Sequence, residues 1–279
     1  MIHIVADSSC DLTKEEQQAM GVHLVPIAIQ FGSESYQDGV NLSHAEFYTK
    51  LEKTETLPTT AAPAPALFEK TYRQCLAQGG EVLCITIGAA FSGTYQSAMI
   101  AARDVGEDSI HVVDSRSGSA GAALLIREAH RLAAQGTLSA ADIADALRNL
   151  SPKVHLYAML DTMKYLWRSG RVNRGIGVVG DILNIRPLMR VHDGIIDSAG
   201  MARGERGSIS ALKRILAKHK PNIDYGIAFF HGNVAQRMES IISELKPIIG
   251  DATIFRSSFS GAVGTNTGPG IVGIAFIAQ

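Results

Sequence analysis

Residues 89–98 read AAFSGTYQSA and follow directly on the apolar run VLCITIG (82–88), so Ser92, Gly93 and Thr94 fall where a buried strand turns into a helix. Three kinds of chemistry are open to such a serine. As a nucleophile it needs a sharp elbow of the form G-x-S-x-G, but Ala90 and Thr94 stand where the glycines belong. No His–Asp pair at a recognisable spacing completes a triad either. As a helix cap, with the helix starting at Gly93, its hydroxyl accepts from the amide of Thr94 or Tyr95. As part of an anion cradle, Ser92 and Thr94 donate their hydroxyls, and Gly93 lets a ligand approach the free amides at the positive end of the helix dipole. Cap and cradle are compatible with each other.

Other stretches carry chemistry of different kinds. GTNTGPG (264–270) packs three glycines and a proline into seven residues, which predicts a tight, non-helical path just before the last strand. Its Thr265, Asn266 and Thr267 supply groups that can hydrogen-bond a ligand. Arg168, Arg171 and Arg174 recur every three residues, which on a helix makes a basic stripe. Such a stripe is either a solvated face or a docking surface for an acidic or phosphorylated partner. GIGVVG (175–180) has the letters of a dinucleotide fingerprint, but RSGRVNR precedes it in place of an apolar strand, so no βα turn is available for a pyrophosphate. The nine histidines show no HxxxH or HxH spacing and no carboxylate companion, so no metal site is expected.

The elements that must position these residues alternate along the first half. IHIVA (2–6) and HLVPIAI (23–29) read as strands, separated by a helix that Asp11 or Thr13 caps. A polar hairpin or loop follows, then a helix from about His44 to Lys53. LPTTAAPAP (57–65) holds three prolines and predicts an extended loop without regular structure. Helices at 67–78 and 93–103, strands at 82–87 and 110–114, and two helices within 119–150 broken at Gly136 complete a βα pattern with a parallel sheet. From about residue 151 the texture changes to a mixed α/β domain. Strands are expected at 155–160, 187–191, 194–197, 225–231, 253–257 and 271–277, with helices at 208–219 and 234–246 and an apolar helix or turn near 176–184. The expected fold is therefore two α/β domains: residues 1–150 with a Rossmann-like parallel sheet, and residues 151–279 with a mixed sheet.

Composition sets the outer limits. In 279 residues, 46% of them hydrophobic, a large core can be buried. A net charge of −1 removes the electrostatic case for nucleic acid or an anionic membrane as partner. No apolar run approaches the roughly 18 residues of a membrane span. Three cysteines without a CxxC spacing, and no signal peptide in MIHIVADSSC, point to a reduced cytoplasm.

Taken together, ADSSCDL (6–12), YQDGV (36–40), FSGTYQSA (91–98), VVDSRSGS (112–119), LDTMKYLWRSGRV (160–172), NIRPLMRVHDGII (184–196), ARGE (202–205) and GTNTGPGIVGIAF (264–276) resemble the DegV family of bacterial proteins, collinearly and over essentially the whole chain. The resemblance implies a two-domain α/β protein that holds one long-chain fatty acid, with the acyl chain in an apolar tunnel and the carboxylate near the domain interface. It implies a soluble carrier without a cofactor, one that presents the acid to a kinase partner which makes an acyl phosphate for phospholipid synthesis. By position, Ser92 matches the family serine that bonds the carboxylate, and Thr60 opens the family's T-S-x-P-S loop. Arg171 and Arg203 match arginines near the head group or the kinase-facing surface, with Arg168 and Arg174 as further docking candidates. Two departures stand out: the loop reads TAAPA, with Ala61 and Ala64 for serines, and Asn266 replaces a histidine of G-T-H-T-G-P-G. Asn266 can donate to a carboxylate but cannot become cationic near pH 7. The runs 156–166, 178–189 and 271–277 are the candidates to line the tunnel, and equally to form ordinary core. Two other classes remain: a hydrolase of acyl esters using Ser92, and a lipid-filled scaffold whose arginine stripe binds a partner.

Overall fold

The structure, a computed structural model, describes residues 1–172 and 184–279. Arg174, GIGVVG and nearly all of the segment read at 176–184 lie outside those residues. In the first half the strands are β1 (Ile2–Asp7), β2 (His23–Val25), β3 (Ala28–Phe31), β4 (Glu34–Gln37), β5 (Thr59–Ala61), β6 (Glu81–Thr86) and β7 (Ile110–Asp114). In the second they are β8 (Val154–Met159), β9 (Ile185–His192), β10 (Ile195–Arg203), β11 (Ile227–His231), β12 (Ile254–Ser258) and β13 (Val272–Ile277). They form three sheets. The order β2-β1-β6-β7 is parallel throughout, β10-β9-β8-β13-β11-β12 is mixed, and β4-β3-β5 is a small antiparallel sheet.

Continuous burial along β1, β6 and β8 explains their runs of apolar residues, since strands covered on both faces do not alternate. The cover between the two large sheets is the helix Ser119–Gln135. Every residue from Ser119 to Ile126 is buried, as expected of a helix apolar on all sides. One core cluster joins Ile4, Leu83 and Ile85 of the parallel sheet to Leu124 and Ile126 of this helix and to Ala158, Phe230 and Ala275 of the mixed sheet.

Helix starts follow the capping chemistry. Thr13, Ser43 and Ser139 each form a reciprocal capping box, with Glu16, Glu46 and Asp142. Of the two caps considered for the first helix, Thr13 is the one used.

Four expectations need correction. HLVPIAI is two strands in two sheets: β2 ends at Val25, Pro26 has no amide to donate, and the Ile27 amide goes to Ser8 Oγ at 3.1 Å. LPTTAAPAP contains β5, an edge strand paired with β3 between Pro58 and Pro63, and Pro65 opens the helix Pro65–Leu76. GTNTGPG is half helical, because Gly261–Thr267 is a helix. Its first glycine serves close approach: a Cβ at Gly264, as at Gly261 one turn earlier in the helix, would strike the Phe47 ring. The path turns after the helix, at Gly268 and Gly270, where φ is +73° and +82°. Finally, Lys164–Ser169 is a short helix ended by Gly170 in the left-handed region, so Arg168 and Arg171 do not share a helical face.

Among the buried polar groups, His155 on β8 lies in a stack of rings, its centroid 4.3 Å from His192, 4.6 Å from His219 and 5.5 Å from Phe276. Burial, then His192, His219 and Arg190, lower its pKa to about 4. Its folded-state pKa lies below the unfolded one, so its contribution is present above pH 6.5 and is lost as pH falls towards 4. Asp7, Asp11 and Asp38 are pushed the other way by burial and act with opposite sign over that range. The histidine effect is therefore read as a difference. Urea melts of wild type and His155→Phe, which keeps an aromatic ring in the stack, are expected to show the variant gaining about 2–3 kcal/mol on wild type between pH 6.5 and 4. Parallel pH profiles would contradict this.

Candidate functional site

One cavity gathers Thr60, Ser92, Arg171 and Asn266 from among the residues that the sequence singles out. It encloses about 990 Å³ of empty space, open solvent at its mouth included. Its wall is mainly apolar, with Leu156, Ala158, Leu160, Met189, Val191 and Ile271 from the mixed-sheet half and Ile27, Ile87 and Phe91 from the other. Leu156, Ala158, Leu160, Leu166 and Met189 come from the runs expected to line a tunnel, whereas of 271–277 only Ile271 reaches the cavity and the rest is core. Polar side chains collect in the lining too: Thr60, Ser92, Arg171 and Asn266, each 32 to 95 residues from the next in sequence. The described lining contains no histidine and no carboxylate.

Ser92 is reached from β6 through a loop pinned at nearly every amide. Ile87 N donates to Asp7 Oδ2 at 2.7 Å, Gly88 N to Ser117 O at 2.7 Å and Ala89 N to Asp114 Oδ1 at 3.1 Å. The following helix runs Thr94–Val105 with Gly93 as its cap residue, so Ser92 sits one position earlier than a cap. Its Oγ still accepts from Thr94 N at 3.3 Å and lies 2.8 Å from Thr94 Oγ1. With Thr94 as donor in that second contact, the single Ser92 proton is free for a ligand. Gly93 is exposed, Thr94 is buried, and neither lines the cavity. Thr94 orients Ser92 instead of touching the ligand space.

Arg171 is the one charged side chain in the described lining. Its Nε donates to Phe91 O at 2.7 Å, and its Nη1 to Asn266 Oδ1 at 2.6 Å. Burial lowers its pKa, and every partner it has among the described residues is neutral. Guanidinium remains charged at neutral pH all the same. Asn266 spends one Nδ2 hydrogen on Ala262 O at 3.1 Å, which leaves the other. Arg168 is exposed and bonds Leu57 O at 3.2 Å. Arg203 ends β10, exposed, and does not line the cavity. Thr60 lies on β5, half-buried, opposite Ile29.

A family model described as "Uncharacterised protein, DegV family" matches residues 1–279. The chain belongs to the DegV family. It is 30% identical to a DegV domain-containing protein of Caldanaerobacter subterraneus, over 99% of this chain and 98% of that one. It is 32% identical to one of Deinococcus radiodurans, over 98% and 97%. Among solved structures, the DegV-family protein of Thermus thermophilus described for its fatty acid binding superposes with TM-score 0.89 at 25% identity, covering 100% and 99% of the two chains. DegV of Bacillus subtilis, a fatty acid binding protein, gives 0.87 at 26% over 100% and 99%. The fat acid (stearic acid)-binding protein of Eubacterium ventriosum gives 0.89 at 26% over 100% and 98%.

Within this DegV fold the two alanines of TAAPA have different places. Ala61 lines the cavity, whereas Ala64 is the cap residue of the helix Pro65–Leu76 and makes no side-chain cap. Sequence reading also missed a grouping: His3, His23 and Cys75 bring donor atoms within 4.8 Å of one another, although none lines the cavity. Twenty and fifty-two residues separate them, so no spacing rule could find them. His3 is engaged with Gly79 O at 2.9 Å.

The loop yields a paired test. Ala64→Ser is expected to raise stability by about 1 kcal/mol through the restored cap, with ligand affinity unchanged. Ala61→Ser is expected to leave stability within about 0.5 kcal/mol and to change affinity for a carboxylate ligand. Denaturant melts and ligand titrations on both variants check it, and a shared response in both would contradict the assignment.

Proposed function

We propose that this chain is a soluble, cytoplasmic binding protein for one long-chain fatty acid. The acyl chain lies along the apolar wall, and the carboxylate meets Arg171, Ser92, Thr60 and Asn266. The observation that carries the reading is the pairing of an apolar cavity with one cation in its described lining, Arg171, whose described partners are all neutral. Anionic ligands with long tails match that pairing, and the similar solved structures include proteins described as binding fatty acids. Residues 1–150 then act as one domain that brings Ser92 and Thr60, and residues 151–279 as a second that brings Arg171, Asn266 and most of the tail wall. All three cysteines are free and buried, in keeping with a reducing compartment.

In this reading the protein is a carrier, and the chemistry belongs to a partner. It presents the carboxylate to a kinase that phosphorylates it with ATP, with Arg168 and Arg203 available at the surface for docking. A hydrolase through Ser92 gains nothing from the cavity, because no base lines it among the described residues.

Solvent extraction of the purified protein, followed by mass spectrometry, is expected to yield one long-chain fatty acid per chain. A chain free of acyl lipid that also fails to take up palmitate or oleate would sink the reading. Ser92→Ala is expected to weaken fatty acid binding by about 1–3 kcal/mol, and Arg171→Met by roughly 10- to 100-fold for the loss of a charge-assisted contact. For the carrier step, wild type mixed with a fatty acid kinase ATP-binding subunit, ATP and bound acid is expected to form acyl phosphate. Turnover seen only with Asn266→His would place this chain outside the kinase reaction.

A further inference from the structure

Two of the motifs that mark the sequence, ADSSCDL and YQDGV, hardly touch the cavity: of their residues only Ser9 lines it. They nevertheless bury three carboxylates, Asp7, Asp11 and Asp38, each no more than 2% exposed. Burying a carboxylate is costly unless its acceptor capacity is used, so the question is what these oxygens hold.

Asp11 Oδ1 accepts from Ser260 N at 2.8 Å, and Asp38 Oδ1 from Gly261 N at 3.0 Å. Both amides lie at the start of the helix Gly261–Thr267. That helix is only seven residues long and carries glycine at 261 and 264, so its own propensity for helix is weak. It supplies four residues of the cavity lining, Ala262, Val263, Asn266 and Thr267. Its far end carries the amide that receives Arg171. Asp7 plays the matching part on the other side. Its Oδ2 takes the Ile87 amide, and its Oδ1 holds the amide and hydroxyl of Ser9. Ile87 begins the pinned loop that ends in Ser92.

We propose that the buried pair Asp11–Asp38 are positioning residues for the head-group cradle, fixing the helix that carries Asn266 in the place where Asn266 and Arg171 meet a ligand carboxylate, while Asp7 fixes the loop that carries Ser92. Asp7 uses both of its oxygens on the loop side, whereas Asp11 and Asp38 each spend Oδ1 on an amide at the helix start. For Asp11 a neutral acceptor of the same shape suffices, because burial pushes its pKa up to about 8 and Asn reproduces the protonated form present at neutral pH; Asp38, pushed up only to about 6, needs one acceptor oxygen for the Gly261 amide, and Asn offers that too. The inference rests on the fatty-acid reading.

The test compares binding of palmitate and of uncharged 1-hexadecanol by wild type, Asp11→Ala, Asp38→Ala, Asp11→Asn and Asp38→Asn. The alanine variants are expected to lose tenfold or more of the preference for the acid, with hexadecanol affinity unchanged. The Asn variants are expected to restore that preference. Should an alanine variant fail to fold, Asp11→Ser and Asp38→Ser, polar but too short to reach the amides, are expected to show the same selective loss. Variants that keep the wild-type preference, or lose both ligands alike, overturn the proposal while leaving the fatty-acid reading intact. Wild type that binds neither ligand overturns that reading and this inference with it.

Discussion

Arg171 carries a positive charge into a half-buried position and meets only neutral oxygens there among the described residues. Desolvation works against the charged form, and hydrogen bonds to carbonyl and amide oxygens offset only part of that cost. The offsetting partners come from both halves of the chain: Phe91 O lies beyond β6, and Asn266 Oδ1 lies on the helix before β13. The same side chain therefore ties the two halves together and leaves a net positive charge facing a cavity. An incoming carboxylate supplies what the tie lacks. In the proposed reading a bound anion adds to that compensation, and the pinned loop and short helix matter because they set where Arg171 meets it.

Affinity and orientation come from different parts of such a site. A long alkyl tail leaving water is worth about 0.8 kcal/mol per CH₂, so the tail dominates the gross energy but says nothing about direction. A few hydrogen bonds of about 1–3 kcal/mol each decide which end of the ligand meets Ser92. The cavity wall is provided cheaply. The first half of helix Ser119–Gln135, Ser119 to Ile126, is buried on all sides between the two sheets, and the space left at the junction is apolar because core residues from both sheets face it. The polar residues, in contrast, each need a dedicated support: Thr94 for Ser92, Phe91 and Asn266 for Arg171, Asp11 and Asp38 for Asn266.

How much of this could be read from sequence follows from the range of the interactions. Local rules worked where the determinant was local. Thr13 announces its helix because a capping box closes within four residues, and β1, β6 and β8 show as largely apolar runs. They failed where a distant partner overrode local preference. GTNTGPG looks like a turn by composition, yet Phe47 demands glycine at 261 and 264 for contact and the buried acids hold the helix start. HLVPIAI looks like one strand because periodicity cannot see that Pro26 sends the chain from one sheet to another. The arginines at 168 and 171 look like a stripe until Gly170 ends the helix between them. Thr60, Ser92, Arg171 and Asn266 were named through the family resemblance, and local sequence could not tell that they share one cavity lining. Arg171 and Asn266 are 95 residues apart, and only the fold makes them neighbours.

Asn266 shows why a departure from the family pattern has to be judged by its partner. At this position the side chain must accept a hydrogen bond from the Arg171 guanidinium, which it does through Oδ1 at 2.6 Å. A neutral imidazole can do the same, whereas a protonated one has no lone pair to offer and would add a second cation beside the first. Asn accepts at every pH, so in this chain Arg171 stays anchored while the surroundings acidify. The charge of the described cradle is then set by one residue that does not titrate in the physiological range. The substitution keeps the cradle's geometry and removes a titratable group from it. Ala64 is the opposite case: what it gives up is a helix cap, and the cost falls on the fold and not on the ligand.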